Sequence, residues 1–394
     1  MTRHYSAHLS TALKILGLYN GSMPLSVFLK QYFSANRQHG STDRRQISHL
    51  LYSFYRLGKA NLSVSAEERI CTSLFLTSTG PNDLLGALRS EFNDRAHLSL
   101  EEKMDGLGSS FNIQDLFPWK DALSNGMDHE LFCKSFLVQP DLFLRIRPGF
   151  EKEVQIIIHQ QGWPAQWLST QTVSLPNGTQ LDKILDTDRQ VVVQDFSSQQ
   201  TGGFMESALR DSLWKNGKWW DCCAASGGKT LMMADLLGSM DITVSDIRES
   251  VLANLARRFQ KAGMSRYRSM VVDLENAATA KKKIQSLGRF HVVMADLPCT
   301  GSGTWSRTPE QMYFFEEGKL GGFAERQQRI LSSVIPTIQN GGHLFYITCS
   351  VFRKENEDMV EWIAQNSSLH FHTSKLITGY MNRADTMFIA HFTA

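Results

Sequence analysis

Residues 215–394 carry five short, largely apolar runs, each ending near an aspartate or a cysteine, with helical stretches between them. The runs are KWWDCCAA (218–225), DITVSDI (241–247), YRSMVVDL (267–274), FHVVMADL (290–297) and HLFYITCS (343–350). The helical stretches include TLMMADLLG (230–238), ESVLANLARRFQKAG (249–263) and ERQQRILSSVIPTIQ (325–339). Strands alternating with helices imply βαβ units, and these fold into a mostly parallel, doubly wound α/β sheet. LHFHTSKLI (369–377) and MFIAHF (387–392) are expected to complete that sheet.

Two further segments precede it. In residues 1–134 Ile47, Leu50, Leu51 and Phe54 fall at helical spacing, with Ser41 ahead of them as a cap, and Ser65-Ala66-Glu67-Glu68 has the spacing of a capping box. This segment is expected to be an all-helical N-terminal domain. From Pro140 the pattern changes. In DLFLRIRP, Leu142, Leu144 and Ile146 alternate with Phe143, Arg145 and Arg147, as in a strand. FEKEVQIIIHQQG (150–162) is a helix pattern, while AQWLSTQTVSLPNG (165–178) and RQVVVQDF (189–196) are strand patterns. The expected division is therefore a helical domain over 1–134, a small α+β extension over 135–200, and a larger α/β domain over 201–394.

Composition narrows the function. With 41 Lys+Arg against 39 Asp+Glu, the net charge of +2 excludes a polybasic protein that binds nucleic acid by charge alone. A local basic groove remains open. No run of 18 apolar residues marks a membrane span, and the first 20 residues lack the apolar core of a signal peptide. Six cysteines without a CxxC pair suggest neither a disulfide scaffold nor a zinc site, so no metal is expected and a reducing, cytoplasmic compartment is. A monomer that does not bind membranes is expected.

In sheets of this kind ligands bind beyond the carboxyl ends of the strands, where the polar residues of this segment lie. The first turn, Asp221-Cys222-Cys223-Ala224-Ala225-Ser226-Gly227-Gly228-Lys229-Thr230, lets backbone approach a ligand in front of a helix N-terminus. A phosphate-binding P-loop would need glycine where Cys223 stands, and the dinucleotide spacing fails as well. Asp246 and Asp273 end the next two runs. A carboxylate there suits ribose hydroxyls or an adenine amino group, although a lone aspartate at a strand end is more often a cap. Without a phosphate motif, S-adenosylmethionine fits better than ATP or NAD. The last two runs end in Asp296-Leu297-Pro298-Cys299 and Thr348-Cys349-Ser350. If those strands are neighbours, both thiols emerge beside the cofactor.

These residues resemble the NOL1/NOP2/Sun family of RNA cytosine-5 methyltransferases, particularly its bacterial branch acting on small-subunit ribosomal RNA. The family's CAAPGGKT is CAASGGKT (223–230) here, its D-x-PCSG-x-G is DLPCTGSG (296–303) followed by RTPE (307–310), and its TCS…ENE is TCSVFRKENED (348–358). QQRIL, a GG turn, VQDFSSQ (193–199) and PDLFLRIRP (140–148) fall in the expected order, so the resemblance covers about residues 138–394. It implies a Rossmann-like class I methyltransferase fold with S-adenosylmethionine held by Cys223, Ala224, Ala225, Ser226, Gly227, Gly228, Lys229, Asp246, Asp273 and Asp296. It also implies Cys349 as the nucleophile on cytosine C6, Cys299 in product release, and Asp296 at the cytosine edge near N3. Ser226 stands where the family usually has proline.

The implied substrate is RNA, with ribosomal RNA first and transfer RNA as the alternative. A catalytically silent RNA-binding scaffold is a further reading, against which both thiols and all three aspartates speak. Arg145, Arg147 and the 307–310 loop are candidate RNA contacts. DNA cytosine-5 methyltransferases use a Pro-Cys thiol as nucleophile, and the Thr-Cys349 motif favours RNA. A cysteine protease with His343 as base is implausible. That histidine starts the strand Cys349 ends, roughly 20 Å away at about 3.3 Å per residue.

Overall fold

The computed structural model describes residues 2–210, 217–238 and 240–394. They divide into two compact units. The first comprises 1–121, 128–139 and 304–317, and the second 122–127, 140–303 and 318–394. Thus 304–317, inside the segment expected to be catalytic, belongs to the helical unit, and 122–127 belongs to the α/β unit.

The first unit is built from α1 (Thr2–Leu18), α2 (Leu25–Ala35), α3 (Ser41–Arg56), α4 (Ala66–Thr77), α5 (Asp83–Leu88), α6 (Ser90–Asp94), α7 (Leu100–Leu107) and α8 (His129–Ser135). Ile47, Leu50, Leu51 and Phe54 turn one face of α3 into a core shared with Leu9, Ile15, Leu29 and Leu74. Ser65 caps α4 by accepting from the Glu68 amide. Ser41 does not cap α3. The cap is Gly40, whose amide donates to Asp43 Oδ2 at 3.0 Å, and Ser41 is the first helical residue.

The second unit opens with β1 (Leu142–Ile146), α9 (Glu151–Gln160), β2 (Gln166–Trp167), β3 (Thr172–Leu175) and β4 (Val191–Val193). These strands form an antiparallel sheet in the order β2-β3-β1-β4. Leu144, Ile146, Val173 and Leu175 pack on Val154 and Ile158 of α9. The strand read through residue 196 stops at Val193, because Asp195 caps a helix, α10 (Phe196–Ala208), by accepting from the Ser197 amide at 2.8 Å.

Next come β5 (Lys218–Asp221), α11 (Gly228–Leu237), β6 (Asp241–Asp246), α12 (Glu249–Lys261), β7 (Arg268–Val271), α13 (Ala277–Gln285) and β8 (Phe290–Asp296). The chain then forms α14 (Pro309–Phe314) in the first unit and returns through α15 (Leu320–Val334), β9 (Ile338–Thr348), α16 (Glu357–Asn366), β10 (His370–Ile377) and β11 (Met387–Thr393). The helix expected to reach residue 339 stops at Val334, since Pro336 has no amide to continue it.

The seven strands run in the order β10-β11-β9-β8-β5-β6-β7. From β9 to β7 all pairs are parallel, and β11 and β10 add two antiparallel pairs. This is the Rossmann-like architecture expected from the sequence. Alternate residues feed opposite faces. Trp220, Val293 and Leu344 join one core with Ile330 and Met359, while Trp219, Val292 and Phe345 join the other with Leu231 and Leu255. Strand order reverses between β5 and β8, which opens a crevice at their carboxyl ends. No helix among the described residues is long and apolar enough to cross a membrane.

Candidate active site

A cavity of about 480 Å³ lies at that crevice, lined by Cys223, Ala225, Asp246, Asp273, Asp296, Cys299 and Cys349 among others. Ala224, Ser226 and Gly227 build the turn before α11, and Gly228 opens that helix, rather than forming the cavity wall. The turn is fixed by three backbone hydrogen bonds: Ala224 N to Ser245 O, Gly227 N to Ala224 O, and Leu231 N to Gly227 O. Gly227 has φ +77°, and a Cβ there would meet the Phe259 ring at 2.5 Å, so both conformation and space require glycine. Ser226 Oγ accepts from Arg258 Nη1 at 3.2 Å, and Arg258 Nε donates to Asp188 at 2.6 Å. Where a proline would be rigid by itself, this serine is tied through its hydroxyl.

Asp246 is buried, with Oδ2 accepting from the Ala225 amide at 3.2 Å and Oδ1 from the Arg248 amide at 2.9 Å. Asp273 Oδ1 accepts from the Glu275 amide at 3.0 Å. Both carboxylates therefore also close local turns, each accepting from the amide two residues on. Val272, Leu274, Ile247 and Ile330 supply an apolar wall between them.

Lys229 crosses from the turn to Asp296, with Nζ 2.7 Å from Oδ2. Burial draws the lysine toward neutrality, but the Asp296 carboxylate outweighs it and raises the Lys229 pKa above its ordinary value. Neighbouring Asp221 is fully enclosed. Burial pushes its carboxyl up to about 7, against the opposing hydrogen bond from Thr230.

The two thiols meet. β8 and β9 are parallel neighbours, and Cys299 and Cys349 follow their ends with the sulfurs 3.4 Å apart. The hydrogen bond to Cys349 comes first, and burial second, in pushing the Cys299 thiol well above its usual range. Behind them lies a buried polar cluster that the sequence reading did not assign. Glu355 accepts from the Thr300 amide (2.9 Å) and hydroxyl (2.6 Å), from the Ser350 hydroxyl (2.5 Å) and from Gln327 (3.3 Å). Asn356 accepts from Thr348 Oγ1 and donates to Ser350 O and Ser124 Oγ. The sequence signal for both residues is their place as the first two letters of the ENE that follows TCS in the family resemblance, to which no role was attached. Gly303 joins the two loops. Its amide donates to Cys349 O, its carbonyl accepts from Thr386 N, and a Cβ there would meet Thr386 O at 2.0 Å.

Some expected contacts are elsewhere. Arg145 is buried and Arg147 is largely covered. Both bind the buried Asp235 carboxylate, at 2.6 and 2.8 Å, and Arg145 Nε also donates to Gln194. In the first unit Glu310 of the 307–310 segment is buried and accepts from the Leu25 amide at 3.1 Å. His343 does not start its strand: it lies midway along β9 (Ile338–Thr348), six residues before Cys349, with its ring paired to His391 at 2.9 Å. No group of three or more potential metal ligands occurs among the described residues.

Comparison with known proteins follows the same lines. Residues 212–390 match the family described as 16S rRNA methyltransferase RsmB/F. A relative from Synechocystis, named "Probable ribosomal RNA small subunit methyltransferase B", is 26% identical over 277 residues, 68% of this chain and 59% of that protein. The chain spans about half the length of the curated relatives it matches. Among solved structures, PH0851 superposes with a TM-score of 0.68 at 18% identity, covering 97% of each chain. NSun6 from Pyrococcus horikoshii, solved with SFG, gives 0.57 at 12% identity over 67% of this chain and 94% of its own.

Proposed function

We propose that this chain, whose residues 212–390 match the family described as 16S rRNA methyltransferase RsmB/F, is a NOL1/NOP2/Sun-type, S-adenosylmethionine-dependent RNA cytosine-5 methyltransferase acting on small-subunit ribosomal RNA. The observation that carries this reading is the contact of two thiols, 3.4 Å apart, on the wall of a cavity that also presents Asp246, Asp273 and Asp296. The cavity size lies in the usual range for cofactor sites of roughly 300–1,000 Å³. The Asp246 carboxylate suits a ribose diol, and the apolar wall beside Asp273 suits an adenine ring.

Bound S-adenosylmethionine supplies an electrophilic methyl group. The chain must then make cytosine C5 nucleophilic. Cys349 as thiolate adds to C6, so the ring becomes an enamine whose C5 carries the electron pair. N3 takes a proton from solvent as the thiolate adds, and the Asp296 carboxylate, oriented by Lys229, accepts a hydrogen bond from that N3–H until N3 releases the proton after methyl transfer. C5 takes the methyl group. Cys299 then accepts or relays the C5 proton, the C6–S bond breaks, and Cys349 leaves as thiolate. The target base must be splayed out of its stack to reach these groups. The helical segment 1–134, which carries no catalytic motif of its own, is assigned to docking the RNA.

Covalent trapping tests the assignment. Cys349→Ala should abolish methylation and form no adduct. Cys299→Ala should accumulate a methylated RNA–protein adduct stable to denaturing electrophoresis. A release barrier higher by about 4 kcal/mol slows release roughly a thousandfold. The reverse pattern would make Cys299 the nucleophile, and trapping in neither folded variant would end the covalent mechanism. Bisulfite sequencing of RNA from cells with and without the gene identifies the substrate. A 5-methylcytosine lost from transfer RNA alone would overturn the ribosomal assignment.

A further inference from the structure

Cys71, Cys133 and Cys222 are buried free thiols, whereas Cys299 and Cys349 are partly exposed on the cavity wall with their sulfurs 3.4 Å apart. A disulfide holds its sulfurs about 2.05 Å apart, so a shortening of about 1.4 Å separates this contact from a bond.

The chain on either side of the sulfurs is braced. Ahead of them the Leu297 amide donates to Ile347 O at 3.0 Å. Behind them, the residue after each cysteine donates to one buried carboxylate, that of Glu355. Thr300 does so through its amide at 2.9 Å and its hydroxyl at 2.6 Å, and Ser350 through its hydroxyl at 2.5 Å. Ser302 Oγ accepts from the Val351 amide at 2.9 Å and lies 3.2 Å from Ser350 Oγ. Folding has therefore already met the entropic cost of bringing together two sulfurs fifty positions apart. Nor do the surroundings favour the reduced form. A dithiol becomes a strong oxidant when disulfide only if its thiolate is stabilised. Here the contact with Cys349, and then burial, holds the Cys299 thiol well above its usual range.

We propose that Cys299 and Cys349 form a reversible disulfide, a redox switch built into the methyltransferase site. The loss of activity it brings rests on the reading of both thiols as catalytic, while the bond itself does not. The oxidant is a low-molecular-weight disulfide such as oxidised glutathione. One cysteine, as thiolate, attacks it, forms a mixed disulfide and releases one glutathione thiolate. The other cysteine loses its proton and attacks the protein sulfur of that mixed disulfide, which releases the second glutathione thiolate. Two protein thiols lose two electrons, one glutathione disulfide gains them, and the two protons end on glutathione. This single oxidation removes both the C6 nucleophile and the acceptor for the C5 proton. It leaves Asp246 and Asp273 on the same cavity wall able to hold the cofactor.

The test is a redox titration of the full-length protein without RNA, equilibrated at graded ratios of glutathione to its disulfide. After acid quenching and denaturation, the six alkylatable thiols should fall to four as glutathione disulfide comes to dominate. Peptide mapping should place the bridge between Cys299 and Cys349. The bridged protein should keep its calorimetric S-adenosylmethionine affinity within about threefold, lose methylation by roughly a thousandfold or more, and regain it with dithiothreitol. Six thiols persisting at the most oxidising ratio, glutathione left on either sulfur as the end product, or a bridge through any other cysteine overturns the proposal. Cofactor affinity falling in step with bridging overturns a switch confined to the sulfurs. A mapped Cys299–Cys349 bridge with methylation undiminished leaves the disulfide standing and removes both thiols from the catalytic reading instead.

Discussion

Lys229 and Asp296 form an ion pair of 2.7 Å across the strand-order reversal, one from the first turn of α11 and the other from the end of β8. Asp296 holds Lys229 in its charged form against the pull of burial. Asp296→Asn should lower unfolding free energy by about 1.5–3 kcal/mol, the worth of a charge-assisted hydrogen bond. It should also reduce kcat/KM by roughly a hundredfold or more, as for loss of one preorganised charge-stabilising group. Urea titration and steady-state methylation check the two effects separately.

Asp246 and Asp273 should show their roles in cofactor binding. Replacing either with Ala removes one set of charge-assisted hydrogen bonds and should raise the S-adenosylmethionine dissociation constant about tenfold or more. Isothermal calorimetry measures it. Unchanged affinity in both variants would remove them from the cofactor site.

Asp235 should matter to stability rather than to RNA. It is the shared partner of Arg145 and Arg147, and Arg145 is 7% exposed. Asp235→Ala leaves a buried guanidinium uncompensated and should cost about 3–5 kcal/mol. Arg147→Ala should leave the salt dependence of RNA binding unchanged, whereas a phosphate-contacting arginine would reduce the slope by about 1.

Asp221 should give stability a pH dependence. Its carboxyl is pushed up to about 7 in the fold, above the ordinary value of 3.8. Between those values the unfolded chain has released a proton that the folded chain keeps, so this group's contribution falls as pH rises from about 4 to 7. The full difference is about 4 kcal/mol. Asp221→Asn should remove that slope, and it should gain on wild type in urea midpoints at pH 8 but not at pH 4.

The parallel core was legible because each buried strand is a continuous apolar run ending at a polar residue, as at FHVVMADL. The ligand end was legible for the same reason, since Asp246, Asp296, Cys299 and Cys349 mark where those runs stop. Helix α10 was less visible. Its 13 residues include two glycines and a row of serines and glutamines, which weaken the apolar periodicity. Arg145 and Arg147 were placed on the correct face of β1, opposite Leu144 and Ile146. Alternation cannot say whether that face meets water or the buried Asp235 of α11, 88 residues or more along the chain. Glu355 is hidden similarly. In a charged string such as KENED nothing local separates a solvated glutamate from one enclosed by four donors.

Gly303 gives the thiol pair a property that neither cysteine has alone. Its amide is bonded to the carbonyl of Cys349, its own carbonyl to Thr386, and no room remains for a methyl group between them. The loop after β8 is thereby stapled, backbone to backbone, to the loop after β9. An insertion or deletion in either would slide one sulfur past the other unless the partner loop changed in step. The two loops, some fifty positions apart in the chain, are thus constrained to be inherited as one length-matched unit. A functional transplant of this chemistry into another parallel sheet would have to carry both loops, the glycine and Thr386 together.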